Sequence, residues 1–364
     1  MKLIMITELN RYNRAVNTIA KYAEFGKTLG HEVAIFSEQQ AETPVIPCSL
    51  EVRNYDFAIF VIYNASDFPD LPYLAQILDG VPKERRVIID CSGRYNETIR
   101  VEHDFNHLER LEGHQGWEWI EGFEAVASKI LQPTLHPLRP DVLPFLFHGY
   151  DPGAVALPYH SAQEAVRAWS RDGEQGKPYG VVYVGNNWQR WSQLQSFLEK
   201  IEPLRDELGP TRLAGWNWDK QPDWAAEMDF HGMDVDPALL QRLGVEVSTG
   251  IPFHEVIEFV GKGRFSPILH RPLFNELGLV TNRTFETFCS DTIPLPLIPR
   301  PLIDAIHGPA AGLLAPDGDI AGHLRKIMAD PEPYWDAILT TRTHLAEHHS
   351  YQRRLTELVT ILEG

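Results

Sequence analysis

The chain has 364 residues, 43% hydrophobic and 23% charged, a globular composition that excludes long disorder and collagen-like repeats. A single core stops growing at roughly 250–300 residues, so two domains are expected. Lys and Arg number 33 against 50 Asp and Glu, and the net charge of −17 argues against nucleic acid or anionic lipid as a partner.

Leu3–Thr7 reads as a first strand that reaches polar residues too soon for a signal peptide. A helix is predicted over Arg14–Leu29, ended by Gly30, and a second strand over His31–Ser37. Tyr55–Tyr63 and Arg86–Cys91 are apolar enough for strands covered on both faces, with a helical stretch at Leu71–Leu78 between them. Five prolines from Pro133 to Pro152 predict an extended crossing segment, and polar Ser170–Pro178 a linker. A second series then begins with strand Gly180–Gly185, helix Trp191–Leu208 and strand Thr211–Gly215. Short strands are predicted at Gly244–Ser248, Phe265–His270, Thr292–Leu295 and Gly312–Ala315, with helices at Pro252–Gly261, Leu279–Cys289 and Asp319–Ala329. Residues 333–364 are charged and helical.

This alternation predicts an α/β fold of two parallel-sheet, Rossmann-like domains, 1–170 and 178–332, facing a cleft. Cys48, Cys91 and Cys289 are far apart and lack CxxC spacing, which fits a reducing compartment and no structural zinc. No apolar run approaches the ~20 residues of a membrane span, so a soluble, cytoplasmic protein is expected.

The strongest chemical signal is Val184-Gly185-Asn186-Asn187-Trp188-Gln189-Arg190-Trp191, at the end of the second domain's first strand. Glycine lets the backbone approach a ligand, the following helix start favours an anion, and Arg190 offers a bidentate clamp. The plainer alternative is a strand-to-helix turn with Trp188 and Trp191 in the core. A second signal runs from His270-Arg271 to Arg283-Thr284-Phe285-Glu286. Arginine at a helix start calls for an anion, and glutamate suits the paired hydroxyls of a ribose. A simple Arg283–Glu286 surface pair is the alternative. In the first domain, Asp90 and Arg94 follow a buried strand, and His103 and Asp104 come soon after. His103, Asp104 or His107 would hold or deprotonate an acceptor hydroxyl. The loop Glu8–Arg14 faces either the cleft, through Arg11 and Asn13, or solvent. Asp234-Val235-Asp236 reads as a helix cap rather than a metal motif.

Gly185–Arg190, Arg271, Arg283–Glu286 and Asp291–Pro294 resemble the second half of GT-B-fold glycosyltransferases, most nearly the CgeB-like and family-4-like groups. Leu143–Pro152 is similar to the crossing segment of those families, and His348–Leu355 to a closing helix that returns to the first domain. The resemblance implies a nucleotide-diphosphate sugar as donor, with no other cofactor and no metal. It places Glu286 on the ribose, with Gly185, Asn186, Asn187, Arg283 and Thr284 also at the donor. Arg190, Arg271 or Arg283 stands in for the Arg and Lys pair that this chain lacks, with Arg190 and Arg271 secondary to Arg283. A small-molecule or glycan acceptor would approach Arg11, Asn13, Asp90, Arg94 and His103, with retention of configuration. A nucleotide-sugar epimerase, a DNA-base transferase and a non-catalytic nucleotide binder are the competing readings.

Overall fold

Apolar runs of five or six residues build the strands, and helices on both sheet faces bury them from end to end. Leu3–Ile6 are at most 1% exposed and Ala58–Ile62 are fully covered. The computed structural model describes residues 1–38, 46–96, 99–101, 108–110, 117–170, 176–227 and 230–364. In chain order the first lobe has strands β1 (Lys2–Ile6), β2 (Glu32–Phe36), β3 (Cys48–Ser49), β4 (Phe57–Ile62), β5 (Arg86–Asp90), β6 (Ile99–Val101), β7 (Leu108–Arg110), β8 (Lys129–Gln132) and β9 (Val142–Pro144). Seven of them form a parallel sheet of order β3-β2-β1-β4-β5-β8-β9, while β6 and β7 pair antiparallel on their own. The second lobe has β10 (Tyr179–Val184), β11 (Thr211–Ala214), β12 (Val245–Ser248), β13 (Gly263–Ile268) and β14 (Ile293–Pro296), a parallel sheet of order β12-β11-β10-β13-β14.

The helix predicted over Trp191–Leu208 is interrupted at Pro203, which lacks the N–H a continuous helix needs there. It becomes Trp191–Ile201, a 3-10 turn at Glu202–Leu204 and a last turn at Arg205–Leu208. The strand expected at Gly312–Ala315 is instead part of the 3-10 segment Pro309–Leu314. Its apolar character comes from packing in the second-lobe core, where Leu314 is fully buried beside helix Glu332–His348. Five residues of the expected linker, 171–175, lie outside the described residues.

The charged tail is two helices rather than one. Trp335, Ile338 and Leu345 of Glu332–His348 join the second-lobe core. Leu355, Leu358 and Leu362 of Tyr351–Glu363 join the first-lobe core with Ile19 and Leu131. Ser350 caps the last helix by accepting from Arg353 N–H. The proline-rich crossing is likewise shared. Extended backbone alternates sides, so Phe145 and Phe147 enter the first-lobe core while Leu146 enters the second. The two crossings meet in a parallel bridge, Tyr150 to Ser350, in which Tyr150 N–H donates to His349 C=O at 2.8 Å.

Elsewhere the lobes touch through Gly93 (φ 75°). Its left-handed φ favours glycine, and a Cβ there would press on the side-chain ends of Leu277 and Leu279, 2.7 and 2.8 Å from their Cδ1 atoms. Among the described residues no helix is long and apolar enough to cross a membrane.

Candidate functional site

Each parallel sheet reverses its strand order once, between β1 and β4 in the first lobe and between β10 and β13 in the second. At such a reversal the flanking loops diverge and leave a crevice at the strands' carboxyl ends. Here the two crevices open into one cavity of about 600 Å³ between the lobes. Loops after β1 and β4 form its first-lobe wall, including Asn13, Tyr63 and Asp67. Loops after β10, β11 and β13 form the opposite wall, including Gly185, Trp216, Arg190 and Arg271.

The second-lobe wall is cationic. Arg190 and Arg271 both line it, and among the described residues neither has a carboxylate within ion-pair distance. The Nε of each lacks a hydrogen-bond partner, while Arg190 Nη1 donates to Asn186 C=O at 2.9 Å. Burial, then the neighbouring guanidiniums of Arg190 and Arg94, draw Arg271 well below the ordinary arginine range. Like charges gathered in a half-buried place cost free energy unless an anion joins them.

Beside them, helix Arg283–Cys289 begins at the cavity. Asn282 and Arg283 line the wall, and both donate to Glu286 Oε2, at 2.9 and 3.2 Å. The alternative of a simple Arg283–Glu286 surface pair does not hold: the pair is buried at the cavity edge, with the two side chains 9% and 7% exposed.

The turn after β10 is held by close packing. Gly215 follows β11 with φ 151°, and a Cβ on it would lie 2.1 Å from Gly185 O. Trp218 Nε1–H donates to that same oxygen at 2.6 Å. Trp216, 38% exposed, meets Tyr12 of the first lobe edge to face, with centroids 4.7 Å apart, and both line the cavity.

The first-lobe wall is organised by Asp67, which the sequence reading did not single out. Its Oδ1 accepts from Thr7 Oγ1 at 2.8 Å and Glu8 N–H at 3.2 Å, and its Oδ2 from Tyr63 and Asn64 N–H at 2.8 Å each. One carboxylate thus ties together both loops of the first-lobe crevice. Asn13 lies against it, caps helix Arg14–Leu29 through Ala15 N–H and donates to Glu8 C=O at 2.6 Å.

Of the residues singled out from sequence, Gly185, Asn186, Arg190, Arg271, Arg283 and Asn13 all line this one cavity. Others do not. Asn187 is fully buried and turned from the cavity, because its amide faces three carbonyls, those of Asn217, Met233 and Asp234. Thr284 is also fully covered, its hydroxyl against His270 Nε2. Glu286 stands behind Asn282 and Arg283 rather than in the wall.

Arg11 lies outside the lining. Its guanidinium rests on Tyr12, 5.0 Å from the ring centroid, and its carbonyl accepts from Phe253 N–H. Asp90 is fully buried, accepting from Ser92, Gly93 and Tyr95 N–H and from Gln132. It therefore shapes the β5 loop from outside the cavity lining. Arg94 is likewise outside the lining, its guanidinium 4.2 Å from the Trp119 ring centroid. His103, Asp104 and His107 lie outside the described residues. Asp236 caps helix Pro237–Arg242 through Leu239 N–H, and among the described residues no group of three His, Cys, Asp or Glu side chains forms a metal site.

Asn187 supports a direct prediction. Asn187→Ala strands one buried and two part-buried carbonyls and is expected to lower stability by about 1–3 kcal/mol in thermal denaturation. Asn187→Asp, which sets an acceptor against acceptors, should cost more; equal melting of all three proteins would contradict the clip.

No family model and no curated protein sequence matches the chain. Solved structures do. An alpha-glucosyltransferase in complex with UDP and a 13-mer DNA containing a central A:G mismatch is 13% identical, covers 100% of both chains and gives a TM-score of 0.61. The alpha-glucosyltransferase with UDP and a 13-mer DNA containing an HMU base is 14% identical at the same coverage and TM-score. T4 phage BGT in complex with its UDP-glucose substrate is 13% identical, covers 98% of this chain and 99% of its own, and gives 0.52. The expectation from net charge that nucleic acid is an unlikely partner is thereby overturned, since structures of this same fold hold DNA. Total charge constrains average potential and not the surface around one cleft. Two parallel-sheet lobes of seven and five strands, superposing end to end on these structures, give the chain the fold of the GT-B glycosyltransferases.

Proposed function

We propose that the protein transfers a glycosyl group from a nucleoside-diphosphate sugar, with the interlobe cavity as its active site. The observation that carries this reading is the convergence of Arg190 and Arg271, without carboxylate partners among the described residues, at the second lobe's strand reversal. Two guanidiniums suit a diphosphate, whose charge increases as the sugar leaves, and their fixed placement stabilises that charge. Arg283 and Asn282 extend the same wall, and Glu286 fixes their orientation. Trp216 supplies a flat apolar surface for a base. The narrower CgeB-like and family-4-like grouping rests on the sequence segments alone, as does retention of configuration. Metal independence is part of the proposal because the arginines supply positive charge, and EDTA should leave turnover unchanged. A cytoplasmic setting fits the three free cysteines.

For the acceptor we infer a hydroxyl borne on a base in DNA, supported by the DNA-bound structures that superpose over the whole chain. Calorimetry with UDP and UDP-glucose tests the donor half, and incubation of sugar-labelled UDP-glucose with DNA containing HMU tests the acceptor half. Binding plus label on the DNA is the expected result. Label that remains on the nucleotide or goes to water would remove the DNA acceptor, and no binding of either nucleotide would remove the reading itself.

A further inference from the structure

The first-lobe wall contains a phenol whose position is set from outside the cavity. Tyr63 follows β4 directly and lines the cavity on the side opposite Arg271. Its hydroxyl lies 2.5 Å from His148 Nε2, and His148, only 2% exposed, brings Nδ1 to 2.7 Å from Thr18 Oγ1. Thr18 in turn lies 3.5 Å from the Tyr351 hydroxyl on the last helix. Four residues from four separate segments are therefore linked in one buried chain that ends at the cavity. Burial holds the Tyr63 phenol well above its usual range, so it keeps its proton and acts as a neutral hydrogen-bonding group.

The chemistry of this wall differs from that of its opposite. Asn10, Asn13, Asn64, Tyr12 and Tyr63 present amides and phenols beside the carboxylates of Glu8 and Asp67, the latter taken up by Thr7, Glu8, Tyr63 and Asn64, whereas the second lobe presents guanidinium groups. Neutral donors and acceptors match a polyol, and guanidiniums match a diphosphate. Resting on the reading of this cavity as a nucleotide-sugar site, we propose that Tyr63 binds a hydroxyl of the transferred sugar, with His148 as the positioning residue that fixes the phenol. A neutral imidazole donates through one nitrogen and accepts through the other. The Tyr63 oxygen has one donor and two acceptor directions; His148 takes one, the Cys91 thiol lies in hydrogen-bonding range for a second, and a third remains for the ligand.

The test compares UDP with UDP-glucose by calorimetry, using Tyr63→Phe, His148→Leu and His148→Gln. Tyr63→Phe is expected to weaken UDP-glucose about 10-fold while UDP stays within 2-fold, because the arginines that hold the diphosphate are untouched. His148→Leu should move UDP-glucose in the same direction, raise KM more than it lowers kcat, and be partly rescued in His148→Gln. An exchange-protected imidazole N–H resonance of His148 should shift in Tyr63→Phe. If the two ligands weaken equally, or neither weakens, in Tyr63→Phe, the assignment of Tyr63 to the sugar is wrong although the cavity still takes nucleotide. If the unaltered protein binds neither ligand, the parent reading fails as well. Should His148→Leu not fold, the Tyr63→Phe comparison decides alone, since it removes one oxygen and keeps the ring.

Discussion

Arg271→Ala is expected to reduce kcat/KM for UDP-glucose turnover by about 10²- to 10³-fold, the scale lost when one preorganised group facing developing charge is removed. UDP affinity should fall about 10-fold or more, because a charge-assisted hydrogen bond contributes roughly 1.5–3 kcal/mol. Stability should behave in the opposite sense. In the unliganded protein Arg271 is desolvated and stands near Arg190 and Arg94, so its removal relieves repulsion. The melting temperature of Arg271→Ala should therefore equal or exceed that of the parent, while the upward shift produced by UDP largely disappears. Arg271→Lys keeps the charge but not the planar fork and should recover only part of the loss. A variant that melts lower and still shows the full UDP shift would assign Arg271 to the framework and not to the anion.

The second large effect is on stability below neutral pH. His270, His307 and His349 are held down to about 3, 4 and 3, in each case first by burial. Nearby positive or titratable groups add to this: Arg190 and His307 around His270, His344 around His307, and Arg354, His344, His307 and His348 around His349. All three are neutral in the folded chain at pH 6, whereas in the unfolded chain they protonate near 6.5. Their contribution is therefore complete above about pH 6.5 and is lost as the pH falls towards the folded values. Each depressed histidine loses about 1.4 kcal/mol per pH unit in that window, so three lose about 6 kcal/mol between pH 7 and pH 5. That is comparable with the whole stability of an ordinary domain. Thermal melting across this range should show a steep fall, about a third shallower in His307→Gln. A flat profile between pH 7 and pH 5 would mean these imidazoles are not buried neutral.

Much of the fold was legible because a strand covered on both faces is a nearly continuous apolar run. β4 and β10 stand out in this way. The short strands β3, β8 and β9 were not legible, since two to four residues carry too little periodicity to separate from loop. At the site, position along the chain was readable and direction was not. Asn186 and Asn187 are adjacent at a strand end, yet one lies on the cavity wall and the other is clipped to three carbonyls behind it. The same holds for Arg271 and His270, the latter fully inside. Asp67, Tyr63 and His148 escaped notice for a different reason. The partners that join them across segments are 59, 60, 85 and 130 residues away, and no local pattern encodes a contact of that separation.

The paired crossings at Tyr150 and Ser350 have a mechanical consequence. Two strands of backbone joined side by side resist sliding and stretching but permit rotation about the line they define. A clamshell swing about that seam would have to break the cross-lobe bonds from Phe253 N–H to Arg11 C=O and from Val280 N–H to Pro133 C=O. Such a swing varies the gap between the phenol-lined and arginine-lined jaws while leaving every hydrogen bond within either jaw intact.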